Sequence, residues 1–350
     1  MTPDIRNNHF HLIRLLAASQ VVLMHSLHHV PRAVTEGNSF ETLFRSWSPQ
    51  GVPVFFFVSG FLIYLSFSKN NNLANYTRNR LLRIYPGLWA CLVVGIISVI
   101  IFSNSPINFI SLSSFKWLVA QVSIGQFYNP DFLREYACGT LNGSLWTIPV
   151  ELQFYIFVPI LFIFKNKIKT SFIALCTILS YISQETMIYM VANNEGLSNS
   201  TIVKLFEVSI IPYLWMFLIG CLAQKYSKLI VPWVQNKLGW ALLLYAIGHL
   251  FLGSHLRFTT NNPDLPSYLI TAFLVLSFAY TKPNFGWAWL KKVDLSYGIY
   301  IYHMIVINVL IEINFNFPYP IIVVFIATAG LASASWFLIE KPSLRRKKTA

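Results

Sequence analysis

Charge is scarce in this chain. Only 11% of its 350 residues are Asp, Glu, Lys or Arg, and the 13 acidic side chains are half as many as the 26 basic ones. A soluble domain carries charge on about a quarter of its residues, so a water-covered surface over most of the chain is excluded. Cysteine is sparse too. Of four, Cys91, Cys176 and Cys221 fall in apolar runs and Cys138 in a loop, with no Cys-x-x-Cys pair; a disulfide framework and a zinc or other metal site are not expected. Internal repeats and low-complexity segments are lacking, and nothing has the form of a cleaved signal peptide, because Arg14 interrupts the first apolar run. That run is expected to remain as an anchor.

Hydrophobic residues make up 55% of the chain and aromatic residues 16%. They gather into runs long enough to cross ~30 Å of hydrocarbon. About ten spans are expected, near residues 11–30, 51–68, 86–103, 145–164, 171–191, 208–224, 239–254, 267–280, 294–313 and 319–340. The seventh and eighth are short. The stretch 115–125 is apolar but too short to span, and reads as an interfacial or re-entrant helix. The expected fold is an all-α integral membrane protein, a bundle of about ten transmembrane helices. It forms a single transmembrane domain over residues 1–350 with no soluble domain appended.

An even number of spans puts both termini on one side, and the basic residues say which. Arg6 lies before the first span. Alternate loops carry Lys69, Arg78, Arg80 and Arg83, then Lys165, Lys167 and Lys169, then Lys225, Lys228 and Lys237, then Lys282, Lys291 and Lys292, and the tail adds Lys341, Arg345, Arg346, Lys347 and Lys348. The other side holds Arg32, Arg45, Lys116, Arg134, Lys204 and Arg257. Both termini are therefore expected to be cytoplasmic, in a multi-pass protein of the cytoplasmic (inner) membrane. The net charge of +13 is largely this bias, and is no argument for a nucleic-acid partner.

Against this apolar background the ionisable residues stand out. Arg14 and His25 lie eleven residues apart in the first span. That separation is ~20° more than three full turns, so both share one helical face, ~16 Å apart along the axis. A charge in hydrocarbon costs roughly 3 kcal/mol or more, and such groups persist mainly where they face a bundle interior. Glu151, five residues beyond the interfacial anchor Trp146, has a depth that matches His25. A carboxylate beside an imidazole fixes its tautomer and suits a general base. The competing reading is that the two merely satisfy each other, or that Glu151 caps a helix broken at Pro149.

Arg80 and Arg83, three apart, form a fork on one helical face that suits phosphate. Alone, such a cluster reads rather as a topological determinant touching lipid headgroups, and only the company of Arg14 and His25 tips it toward phosphate. In the ninth span Ser296, Tyr300, His303 and Ile307 follow at helical spacing, a pore-lining face on which His303 is either a participant or a hydrogen-bonding partner between helices. Ser59 in the second span allows close helix approach. His28 and His29 mark the outer end of the first span. The outer loop 104–144 is the longest and a natural acceptor-binding region.

At these residues the chain resembles the acyltransferase-3 family of membrane acyltransferases, over nearly its full length. Arg14 through His25 is similar to the family's first-helix signature, and Val58-Ser59-Gly60-Phe61-Leu62-Ile63 to its second-span motif. Arg80-Leu81-Leu82-Arg83-Ile84-Tyr85-Pro86 matches the cytoplasmic arginine motif, and Ser144-Leu145-Trp146 through Glu151 the tryptophan and glutamate motif. Ser296-Tyr297-Gly298-Ile299-Tyr300-Ile301-Tyr302-His303 and Glu340-Lys341-Pro342 follow in order. His11 departs from the pattern, where many members carry an acidic residue, and leaves the partner of Arg14 open. The resemblance implies transfer of an acyl group, usually acetyl, from acyl-CoA to a hydroxyl of a cell-surface carbohydrate, free or lipid-linked.

In that reading acetyl-CoA is the donor substrate and membrane lipids surround the protein. His25, Arg14 and Glu151 are the catalytic residues. Arg80, Arg83, Arg14, Ser59, Tyr300 and His303 receive the donor, with Ser59 and Tyr300 as candidate oxyanion donors. A covalent acyl-histidine is the alternative to direct transfer. A rival class is a transporter or flippase that uses the same charges as a proton or substrate pathway; another is a membrane acyltransferase with a lipid acceptor.

Overall fold

The computed structural model describes residues 7–30, 44–69, 71–104, 107, 109–164, 166–194, 196–253, 255–282, 293–316 and 319–347. Among the described residues every regular element is helical and no strand occurs. In lipid this is one of only two ways to satisfy each backbone donor and acceptor. The helices are α1 Phe10–His29, α2 Gly51–Lys69, α3 Leu73–Phe102, α4 Leu112–Val122, α5 Thr147–Leu161, α6 Asn166–Asn193, α7 Thr201–Glu207, α8 Leu214–Lys225, α9 Ser227–Val234, α10 Leu238–Leu252, α11 Leu265–Tyr280, α12 Ser296–Glu312 and α13 Pro320–Ser335. Helix α13 continues through a π-helical turn, Trp336–Glu340.

Six of the described helices, those containing α1, α2, α3, α5, α6 and α13, are long and apolar enough to cross a membrane, and α8 with α9 makes a seventh if taken as one span. Helices α10, α11 and α12 are apolar but shorter. Each expected span therefore coincides with an apolar helix, while the length criterion is met by six or seven. The expected span 208–224 differs most. Residues 208–213 are turns, Pro212 disfavours helix at the residue before it, and α8 is followed by a 92° bend into α9. The expected short helix is α4, capped by Ser111 Oγ, which accepts from Ser114 N at 3.0 Å. It buries Ser114, Trp117 and Gln121 and turns Leu112, Phe115 and Val119 outward, the polarity of a helix lying against lipid. The topological residues Arg6, Arg32, Lys165, Lys291, Lys292 and Lys348 lie outside the described residues.

The chain forms two compact units, one from the described residues of 1–17, 46–73 and 150–292 and the other from those of 18–45, 74–149 and 293–350. In the first unit α2 and α8 meet backbone to backbone. A Cβ on Gly60 would stand 2.0 Å from the Phe217 carbonyl oxygen, and one on Gly220 2.2 Å from that of Phe57. Only glycine permits this approach, which replaces the hydrophobic drive that lipid withholds. The buried Tyr268 hydroxyl ties α11 to both, at 3.0 Å from the Met216 and 3.3 Å from the Pro53 carbonyl.

The second unit is organised on α12, nearly all of which is buried. Helix α13 packs on it at Gly298, where a Cβ would meet that of Ala332 at 2.8 Å. Helix α3 lies against it at Gly87, beside Tyr297. The segment between α3 and α5 closes over α3 with a core of Leu92, Val99, Trp117, Leu133, Tyr136 and Leu141.

Candidate active site

Helix α12 begins where Asp294 accepts from the Ser296 N–H at 3.3 Å and hydroxyl at 2.6 Å. From there its polar groups hold the outer loop in place. The Tyr300 hydroxyl donates to the Ser144 carbonyl at 2.8 Å, so the Thr147 hydroxyl, 2.7 Å away, must donate to it. Asn142 donates to the Ile301 carbonyl at 2.6 Å and accepts from the Ser144 hydroxyl at 2.7 Å. Asn308 reaches the carbonyls of Thr140 and Leu141 at 2.8 and 3.0 Å. Glu312, at the end of the helix, accepts from the backbone N–H groups of Asn104 at 2.8 Å and Ala137 at 2.6 Å. Buried hydrogen bonds of this kind rigidify what they join.

Midway along this row stands a histidine pair. His303 is fully buried, and its Nε2 lies 2.8 Å from Nδ1 of His25. The two ring centroids lie 5.0 Å apart and the ring planes 29° apart. Nδ1 of His303 lies 2.7 Å from the Tyr300 carbonyl oxygen, three residues earlier on the same helix. His25 sits one turn before the end of α1, half-buried, and is followed edge-on by His29 at 6.0 Å, which in turn meets the exposed His28 at 4.6 Å. The helix itself is unbroken from Phe10 to His29, so Arg14 and His25 do share it as their spacing requires.

The arginine fork is anchored differently at its two members. Arg83 donates to Asp294 at 2.6 Å, with only 14% and 10% of the two side chains exposed. It also lies over the Tyr297 ring, whose hydroxyl donates to the Ile84 carbonyl at 2.9 Å. Arg80 stacks over Tyr76 with its guanidinium 5.5 Å from the ring centre. Asp294 thus balances the charge of Arg83. Glu340, in the π-turn that ends α13, is buried and accepts from the Ser335 hydroxyl at 2.9 Å.

Arg14, Ser59 and Glu151 belong to the first unit. All three are half-buried. Glu151 accepts a short hydrogen bond from the Tyr155 hydroxyl, one turn later on α5. Ser59 adjoins the Gly60 crossing. His25, Tyr300, His303, Arg80 and Arg83 belong to the second unit, and there His25 and His303 come together.

Asp294, Asn142 and Thr147 were missed by sequence reasoning. Asp294 had a local signal, an acidic residue just ahead of an apolar run, where helix starts favour negative charge. Its pairing with Arg83, 211 residues away, had none.

Together these features define a multi-pass helical membrane protein with a histidine pair, one member fully buried, in one of its units. The chain belongs to the acyltransferase-3 family: the family's model, an acyltransferase domain, matches residues 7–340. It is 30% identical over 358 residues to nodulation protein 10 of Rhizobium leguminosarum bv. viciae, covering 97% of this chain and 93% of that protein. It is 24% identical over 349 residues to an O-acetyl transferase of Shigella phage Sf6, covering 97% of each. No solved structure matches it.

Proposed function

We propose that the protein is an O-acyltransferase of the cytoplasmic membrane that moves an acetyl group from acetyl-CoA to a hydroxyl of a cell-surface carbohydrate. The observation that carries this reading is His25, an imidazole hydrogen-bonded within a buried network of a chain that is an acyltransferase by family. Histidine in such a setting suits proton transfer at neutral pH. The designation of the phage relative supports acetyl as the group and oxygen as its acceptor.

In this reaction His25 takes the proton of the acceptor hydroxyl as its oxygen attacks the thioester carbonyl. The carbon–sulfur bond breaks, and the thiolate of CoA recovers the proton from His25. Arg80 binds a donor phosphate, and Arg83 supports it from its anchored position on Asp294. Arg14 adds positive charge for the donor lower on the helix that bears His25. Ser59 remains an oxyanion-donor candidate. The Tyr300 hydroxyl, which already donates to Ser144 and accepts from Thr147, serves as scaffold. Glu151, held by Tyr155, acts as a local carboxylate and not as the orienting partner of His25 Nδ1. The chain crosses the membrane about ten times with both termini cytoplasmic, the shorter apolar helices included.

The test is incubation of purified protein with acetyl-labelled acetyl-CoA and a surface-carbohydrate extract. Label should pass to a base-labile ester on the carbohydrate, or be released by slow hydrolysis. A protein that leaves acetyl-CoA untouched, with and without the extract, contradicts the reading.

A further inference from the structure

Building on the acyltransferase reading, we propose that His303 is a positioning residue that sets which nitrogen of His25 is the base. Proton bookkeeping along the pair leaves a single neutral arrangement. A carbonyl oxygen has lone pairs and no hydrogen, so Nδ1 of His303, 2.7 Å from the Tyr300 oxygen, must carry the proton. In a neutral imidazole the other nitrogen is then bare. That bare Nε2 faces Nδ1 of His25 at 2.8 Å. Two bare nitrogens cannot meet at that distance, so Nδ1 of His25 is protonated and donates. Nε2 of His25 is left as the lone pair available to an acceptor hydroxyl.

The device is fixed at its far end. The Tyr300 carbonyl belongs to the same helix as His303, so it cannot swing away, and Tyr300 is itself held at Ser144 and Thr147. His303 has no exposed surface. A free imidazole samples both tautomers, and the hydrogen bond at one nitrogen decides which form the other presents. A carboxylate would do the same at the expense of another buried charge, which is costly in a membrane; a neutral imidazole orients without adding one. When His25 takes the hydroxyl proton, its Nδ1–H to Nε2 bond becomes charge-assisted and stabilises the imidazolium until the thiolate reclaims the proton.

The experiment uses the full-length protein with His303→Leu and His303→Gln, and uniformly 15N-histidine-labelled wild type. Leucine removes the acceptor, while the glutamine carbonyl oxygen reaches the position of Nε2. Expected is a kcat lower by roughly 10- to 100-fold for His303→Leu, with an unchanged KM for acetyl-CoA, and substantial recovery for His303→Gln. The His25 resonances, assigned by their loss in His25→Gln, should show a protonated Nδ1 and a bare Nε2 in the wild type and lose that preference in His303→Leu. A protonated Nε2 on wild-type His25, or a wild-type kcat in inserted His303→Leu, overturns the proposal. So does an equal loss in both variants at equal insertion. If His303→Leu fails to insert, the wild-type 15N spectrum decides alone. Failure of wild-type protein to transfer acetyl would instead refute the acyltransferase reading, and leaves the spectrum to report on the hydrogen bond.

Discussion

Helices α8 and α12 are both buried along most of their length, yet they are built on opposite principles. Helix α8 meets α2 through Gly220 and Gly60, and the nearby Phe154 stacks flat on Phe217 with ring centres 4.2 Å apart. Helix α12 carries Ser296, Tyr297, Tyr300, His303, Asn308 and Glu312, each bonded to a partner outside or along the helix. Lipid offers no hydrophobic gain for bringing helices together, so close packing of small residues suffices where a contact has only to hold. Polar groups in the same medium are costly, and their concentration on one helix marks where the molecule does more than hold.

That contrast can be broken at either helix. The largest effect is expected from Arg83→Ala, which removes the guanidinium paired with the buried Asp294 at 2.6 Å. Removing one partner of such a pair costs about 3–5 kcal/mol, so the thermal unfolding midpoint should fall sharply. Arg80→Ala should leave that midpoint near wild type while raising the KM for acetyl-CoA by about tenfold, equivalent to ~1.4 kcal/mol. Identical effects of the two substitutions would mean that the fork acts as a unit.

Gly60→Val comes next. A Cβ there would press on a backbone oxygen that cannot rotate aside, at the upper end of the ~1–3 kcal/mol typical of overpacking. Yield of folded protein should drop; an undiminished yield would show that the crossing has room for a side chain. The smallest effect concerns Cys138 in the outer loop, whose thiol is pushed up to about 11 by burial. The thiolate is the reactive form, so maleimide labelling should be slow at neutral pH and quicken as pH climbs toward that value. Fast labelling at neutral pH would show that the loop is not held against α12 and α3.

Much of the fold was legible because a membrane span announces itself by length and apolarity alone. Ser296, Tyr300 and His303 of α12 were legible for the complementary reason, since each is conspicuous in hydrocarbon; Asn308 and Glu312 were not singled out. Less legible was who pairs with whom. Matching depths suggested Glu151 for His25; the partner found at Nδ1 is His303, a pairing that no spacing along the chain announces. Spacing likewise joined Arg80 to Arg83, while the acidic partner that divides them, Asp294, is remote in sequence. The break before α8 had a local cause in Pro212, yet a run of apolar residues masks a turn when only hydropathy is weighed.

The most direct test of the account is acetyl transfer by His25→Ala, measured per molecule of inserted protein. Loss of the general base should lower kcat by ~10²–10⁴-fold while insertion and thermal stability stay near wild type. Activity within roughly twofold of wild type would contradict a role for this imidazole in proton transfer.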